Sequence, residues 1–187
     1  MLAPKDFVAR WVKGSDRLVC FSTKSVDPLA LAAEDKAFLV QAGLPADAAP
    51  FLTFDAPKSA DLQTVAEQWG RENEFQRYRV IGSDGSGNPI ALDENHQGEV
   101  VCLDHENRFA RVLMNTSIRQ MAESLLAYRK LVEDSQAAFG PDAFLDGKTS
   151  AAAREELRQG LTAIDPAAMQ PGCFWHGQLQ TLDANAG

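Results

Sequence analysis

Residues 78–132 read YRVIGSDGSGNPIALDENHQGEVVCLDHENRFARVLMNTSIRQMAESLLAYRKLV. Three polar breaks, at 82–88, 93–98 and 104–108, cut this stretch into four short apolar runs. Gly, Asn and Asp fill the breaks, and these are turn formers for distinct local reasons. The spacing predicts four antiparallel neighbours over 77–81, 89–92, 99–103 and 109–114. Pro89 suits the start of a strand or an edge, since it donates no ladder hydrogen bond. A helix follows at once. Ser117 offers an N-cap, and Gln120 stands three positions on, as a capping box requires. Ile118, Met121, Ala122, Leu125 and Val132 mark its apolar face, and Arg119, Glu123, Lys130 and Asp134 its solvated face. Gly140 and Pro141 end it near Phe139.

Working outward, Phe7, Val8, Trp11 and Val12 are spaced for a short helix ending near Gly14. The run RLVCFS at 17–22 reads as a strand. A helix is expected over 31–42, with Leu31, Phe38 and Leu39 inward and Gly43 in the left-handed C-terminal position. FLTF at 51–54 reads as a strand. Asp61 is placed to cap a helix running to Trp69, with Leu62, Val65, Ala66 and Trp69 on one side. After the long helix, Ala153, Leu157, Leu161 and Ile164 mark another, stopped by Asp165 and Pro166. Trp175, Leu179 and Leu182 mark a docking helix over 174–182. Segments 46–50 and 141–150 are expected to be loops. Helices, a meander and helices again define an α+β chain, with a central antiparallel meander sheet flanked by helices. No repeat or linker divides it, so residues 1–187 are expected to form one domain.

Composition narrows the function. The chain has 187 residues, of which 45% are hydrophobic and 24% charged, enough apolar content for a real core. Its formal net charge is −8. Phosphate recognition rests on Lys and Arg, so direct nucleic-acid binding is not expected, nor is attraction to anionic membranes. An acidic surface instead suits a basic protein partner, with electrostatic steering of encounter. Cys20, Cys102 and Cys173 are odd in number and far apart, and no CxxC pair occurs. They read as buried free thiols in a reducing compartment, which places the protein in the cytoplasm. The amino terminus has no apolar core before a cleavage site, and no run is long enough to span a bilayer.

No constellation carries catalysis. Gly82, Gly85 and Gly87 lack the lysine of a phosphate loop, and a strand follows them where a helix N-terminus would be needed. Asp84, Ser86 and Asn88 alternate like the start of a calcium loop. Pro89, however, holds the sixth position, and no glutamate stands at the twelfth. His96, His105 and His176 form no metal-binding pair. Cys102 and His105 are near in sequence, yet Cys102 sits in the apolar run 100–103 and reads as core. No catalytic residue, metal or cofactor is therefore expected. Carboxylates gather beside the turns instead: Asp84, Asp93, Glu94, Glu99, Asp104 and Glu106. Each one singly can be a solvated turn residue. As a group they are expected to form an acidic rim that binds a partner.

Five short motifs, in order over 31–182, resemble the SUKH superfamily, and its fourth bacterial immunity-protein subgroup most. Phe38 and Leu39 with Gly43, Leu44 and Pro45 are similar to a helix end of that family. Ile81, Gly82 and Asp84 are similar to its strand and turn. Ile90, Leu92 and Asp93 with Gly98 and Val100 are similar to its hairpin. Asn115 and Ser117 are similar to its strand-to-helix junction. Ile164, Asp165, Pro166 and Ala167 with Trp175 are similar to its carboxyl-terminal part. The residues themselves suit fold-keeping: Gly82 and Gly98 at sharp strand ends, Asp93 and Asp165 bonded to turn amides, and Asn115 and Ser117 at a corner.

The resemblance implies a non-enzymatic immunity protein that binds one cognate bacterial toxin, often a nuclease or deaminase. An acidic protein can cover a basic nucleic-acid-binding surface and mimic its phosphates. Two alternatives stay open. One is an interaction or scaffold module, as in cell-wall regulators resembling the same superfamily. The other is an enzyme with scattered Asp, Glu and His, which would need a concave cluster of them.

Overall fold

The structure, a computed structural model of the chain, describes residues 2–55, 57 and 61–185. The strands in chain order are β1 (Leu18–Val19), β2 (Leu44–Pro45), β3 (Asp47–Ala48), β4 (Leu52–Phe54), β5 (Tyr78–Ser83), β6 (Pro89–Asp93), β7 (Glu99–Asp104) and β8 (Ala110–Asn115). The helices are α1 (Pro4–Trp11), α2 (Thr23–Val26), α3 (Ala33–Gln41), α4 (Val65–Trp69), α5 (Ile118–Phe139), α6 (Ala151–Ile164) and α7 (Phe174–Ala184). β1 pairs with β2, and the remaining six strands form one antiparallel sheet in the order β3-β4-β5-β6-β7-β8. Spatial order equals chain order, as expected of a meander, and the fold is α+β.

Both faces of this sheet are covered. All five residues of β6 are buried. Alternation sends Ile90 and Leu92 to one face and Ala91 to the other. Ile90, Leu92, Val100, Cys102 and Met114 join the main core with Phe7, Phe38, Met121, Leu125, Leu157 and Trp175 from the helices. Ala91, Val101, Leu103 and Phe109 join a second, smaller core with Val65 and Tyr78. α4 and the 3-10 turn at Asn73–Arg77 lie over that second face. Burial on both faces explains why residues 89–92 read as a continuous apolar run.

The residues that carried the family resemblance meet in one buried polar knot. Asp165 Oδ2 accepts from Thr116 N at 2.7 Å, Thr116 Oγ1 at 3.1 Å and Asn115 Nδ2 at 3.2 Å. Trp175 Nε1–H donates to Asn115 Oδ1 at 2.8 Å, and Asn115 Nδ2 donates to Ser124 Oγ at 3.2 Å. Strand β8, helix α5, the end of α6 and helix α7 are thereby locked at one corner. Gly43 has a comparable fold role. It takes φ 70°, and a Cβ there would stand 2.1 Å from the carbonyl oxygen of Val19. Only glycine lets α3 end against β1.

Several expectations need correction. The fourth helix begins at Val65. Its cap is Thr64, whose Oγ1 accepts from Glu67 N at 3.1 Å while Glu67 Oε2 accepts from Thr64 N at 2.8 Å. That reciprocal box displaces Asp61 from the capping role. At α5 only half of the expected box forms. Ser117 Oγ accepts from Gln120 N, but Gln120 turns its side chain to Thr116 and to the Ile164 carbonyl. Phe51 and Phe109 stand outside their expected strands with φ 63° and 60°. The expected strand at 17–22 shrinks to β1, with α2 following, and β3 lies within the expected loop 46–50. Of the three thiols only Cys102 is buried, whereas Cys20 is exposed and Cys173 half-buried.

Candidate interaction surface

Meander topology decides how the six carboxylates are placed. Consecutive hairpins turn at opposite ends of a sheet. Ser83 pairs with Pro89, and Asp104 with Ala110, so the turns after β5 and β7 share one end. Asp93 pairs with both Tyr78 and Glu99, which puts the turn after β6 at the other end. The strand between them rises by about 3.4 Å per residue, so the two ends lie roughly 15 Å apart. Asp84, Asp104 and Glu106 are brought together at the first end. Asp93, Glu94 and Glu99 are brought together at the second. The single rim expected from the sequence is two separate groups.

The second group is engaged internally. Asp93 has no exposed side-chain surface. It accepts from Asn95 N at 3.2 Å, His96 Nδ1 at 2.9 Å and Arg111 Nε at 3.1 Å, and Arg77 Nε lies 3.5 Å away. Asp93 therefore anchors this end of the sheet from within the protein. Glu94 pairs with Arg79 Nε at 2.6 Å, and Glu99 pairs with Arg111. Three arginines thus compensate this end.

The first group carries charge without such compensation. Asp84 Oδ1 accepts from Ser86 N and Asn88 N, each at 2.9 Å, and Oδ2 accepts from Asn88 Nδ2 at 2.9 Å. Asp104 Oδ1 accepts from Glu106 N at 3.1 Å and Asn107 N at 3.2 Å. These bonds shape the turns and bring no cation to either carboxylate. Among the described residues, no Lys, Arg or His forms an ion pair with Asp84, Asp104 or Glu106. Asn88 Oδ1 ties the two turns together by accepting from His105 N at 2.9 Å and His105 Nδ1–H at 2.7 Å.

Aromatic surface flanks these charges on both faces of the sheet. On one side Trp69, 39% exposed, stacks on His105 with centroids 5.3 Å apart. Phe109 meets Trp69 edge-on, and the Arg71 guanidinium lies 4.8 Å from the Phe109 centroid. On the other side Phe51 and Leu145 are the most exposed large apolar residues, at 67% and 72%. Both line a groove of about 730 Å³ that also takes in Asp84. Sequence reasoning missed Phe51 and Leu145 as surface groups. Phe51 reads as part of the strand 51–54, and Leu145 sits in a Pro-, Ala- and Asp-containing loop without periodicity, so neither pattern marks an exposed side chain.

The same end does not assemble a nucleophile. The Cys102 thiol donates to Asp84 Oδ2 at 3.6 Å. Burial first, and then the charge of Asp84, push that thiol far above its ordinary range. It stays protonated, and a protonated thiol is a poor nucleophile and metal ligand. No group of three or more His, Cys, Asp and Glu among the described residues could hold a metal ion. No helix among them is long and apolar enough to cross a membrane.

A family model described as SUKH-4 immunity protein matches residues 4–181, and the chain belongs to that family. No curated protein and no solved structure matches it significantly.

Proposed function

We propose that the chain is a non-enzymatic immunity protein that binds one cognate toxin domain in the cytoplasm and neutralises it. The toxin is of the nuclease or deaminase kind, with a basic surface built for nucleic acid. Asp84, Asp104 and Glu106 supply the opposing charge. The observation that carries this reading is the contrast between the two sheet ends: Arg77, Arg79 and Arg111 pair with Asp93, Glu94 and Glu99, while at the opposite end, where Arg71 and Arg108 also stand, no described cation is ion-paired with Asp84, Asp104 or Glu106 beside the exposed aromatics. Uncompensated charge steers encounter, whereas neutralised charge does not. Exposed aromatics next to such charge match the anatomy of interface hot spots.

The test uses a toxin domain that the chain is found to bind. The triple variant Asp84→Asn, Asp104→Asn, Glu106→Gln keeps acceptors for the turn amides and removes three charges. Its association rate at low salt is expected to fall about tenfold, and the difference to shrink at high salt. The double variant Glu94→Gln, Glu99→Gln is expected to change the rate little. An unchanged rate in the triple variant contradicts the proposal.

A further inference from the structure

The groove beside Phe51 holds a feature that its exposed residues alone do not explain. It is formed where four distant segments meet: Pro50 and Phe51, the turn at 84–86, the loop at 144–147 and the outer side of α7. Phe51 is held there by the turn opposite, since a Cβ on Gly85 would stand 2.9 Å from the Phe51 Cβ. Tyr128 of α5 lines the same groove, although only 1% of it is exposed. Its ring packs on Phe144 and Trp175, with centroids 5.9 and 5.7 Å away. Its hydroxyl forms no hydrogen bond with the described residues and is not fully enclosed, so it opens to the groove. Two carboxylates stand on the groove walls, Asp84 and Asp146. Asp146 is held only by Lys148 at 2.9 Å, and both of these side chains are more than half exposed. Such a pair exchanges readily for a stronger partner.

We infer that this groove is the docking point for an arginine side chain of the toxin, with the guanidinium against the Phe51 ring, between Asp84 and Asp146, and the Tyr128 hydroxyl beneath it. The inference rests on the reading of the chain as a binder of a basic protein and names the group it captures. Charge complementarity selects a cation. The flat ring and the acceptors on several sides select the planar guanidinium with its five donors over a compact ammonium. Stacking on the ring adds a cation–π contribution. The unpaired Tyr128 hydroxyl supplies an acceptor that a neutral apolar guest would leave unused.

The experiment is an NMR titration of the isotope-labelled full chain with acetyl-arginine amide, at low salt. Acetyl-lysine amide and the neutral isostere acetyl-citrulline amide serve as comparisons. The expected result is saturable shifts at residues 51, 85, 86 and 144–147, with a dissociation constant in the roughly millimolar range open to so small a ligand. Lysine binds several-fold more weakly, and citrulline does not saturate. Tyr128→Phe keeps the ring packing and weakens arginine binding about tenfold, as loss of a hydrogen bond to a charged group does. Phe51→Ala weakens it as well, while Asp134→Asn with Glu156→Gln, which pair with Lys130 and do not line the groove, leaves it unchanged. Shifts spread over all exposed carboxylates, equal binding of lysine, or no effect of Tyr128→Phe would each overturn the inference. No toxin enters this titration. Its failure removes the groove and leaves the immunity reading standing, and a wild-type chain that protects against no toxin removes the reading and leaves the groove.

Discussion

Asp165 gathers three donors from one strand-to-helix corner on a single carboxylate oxygen, with 2% of the residue exposed. Removing it takes an acceptor from the part-buried Thr116 amide and from the buried Asn115 side chain, and a buried donor left without an acceptor is costly. Asp165→Ala is expected to destabilise the protein by about 3 kcal/mol and Trp175→Phe by about 1 kcal/mol, both read from urea denaturation midpoints. An unchanged midpoint in Asp165→Ala would show that the corner does not depend on the knot. Thiol chemistry gives a second check at this scale. Cys20 is exposed, and Cys102 is both buried and shifted upward. A chromogenic disulfide reagent should label Cys20 first, Cys173 more slowly and Cys102 only when the chain unfolds. The roles of Asn115 and Asp165 as fold-keeping residues were legible from their types and positions, whereas Trp175 read only as part of a docking helix. The burial of Asp93 was not legible, because its neighbours in sequence are polar turn residues. Of its three cationic or imidazole partners, only His96 lies in the adjoining turn, whereas Arg77 comes from the 3-10 turn before β5 and Arg111 from β8.

Helix α4 is five residues long, too short to persist on propensity, so its cap matters. Thr64→Ala removes the acceptor of the Glu67 amide and is expected to cost about 1 kcal/mol. Backbone and side-chain bonds to Thr64 also hold the Glu67 carboxyl below its ordinary value. The contact of α1 with α5 is the natural pH probe. Lys13 and then Arg129 hydrogen-bond Glu133 and hold its carboxyl below the ordinary value of 4.5. A carboxylate with a lowered folded-state value contributes stability above its unfolded value and loses it as pH falls through the folded one. Stability should therefore drop on acidification below about pH 4.5, and Glu133→Gln should flatten that part of the profile. The effect is small, since both Lys13 and Glu133 are well exposed. Equal acid profiles for wild type and variant would exclude this contact as a source. The long elements, α5 and the four meander strands, were readable because periodicity and turn chemistry agree along them. α2, β3 and the start of α4 were not, because two to five residues carry no period, and Asp61 is as good a cap by type as Thr64.

Across the whole molecule, a net charge of −8 describes the partner less well than its distribution does. A meander of this kind necessarily divides turn residues between two ends, so the separation of Asp84, Asp104 and Glu106 from Asp93, Glu94 and Glu99 follows from strand order alone. Which end keeps its charge depends on where Arg77, Arg79 and Arg111 reach, and only the folded chain brings those side chains to one end. The groove at Phe51 lies further still from sequence reasoning, since its walls come from segments as distant as residues 50 and 185. The central claim is capture of one basic toxin, and it is tested most directly by identifying what co-purifies with the tagged chain. The measurement is mass spectrometry after affinity capture, at low and high salt, from cells that also express the neighbouring genes. The account predicts one dominant basic toxin-like protein, held tightly and recovered less by the Asp84, Asp104, Glu106 charge-neutralised variant. Several stable partners of mixed charge, recovered equally by wild type and variant, would contradict it and favour a scaffold.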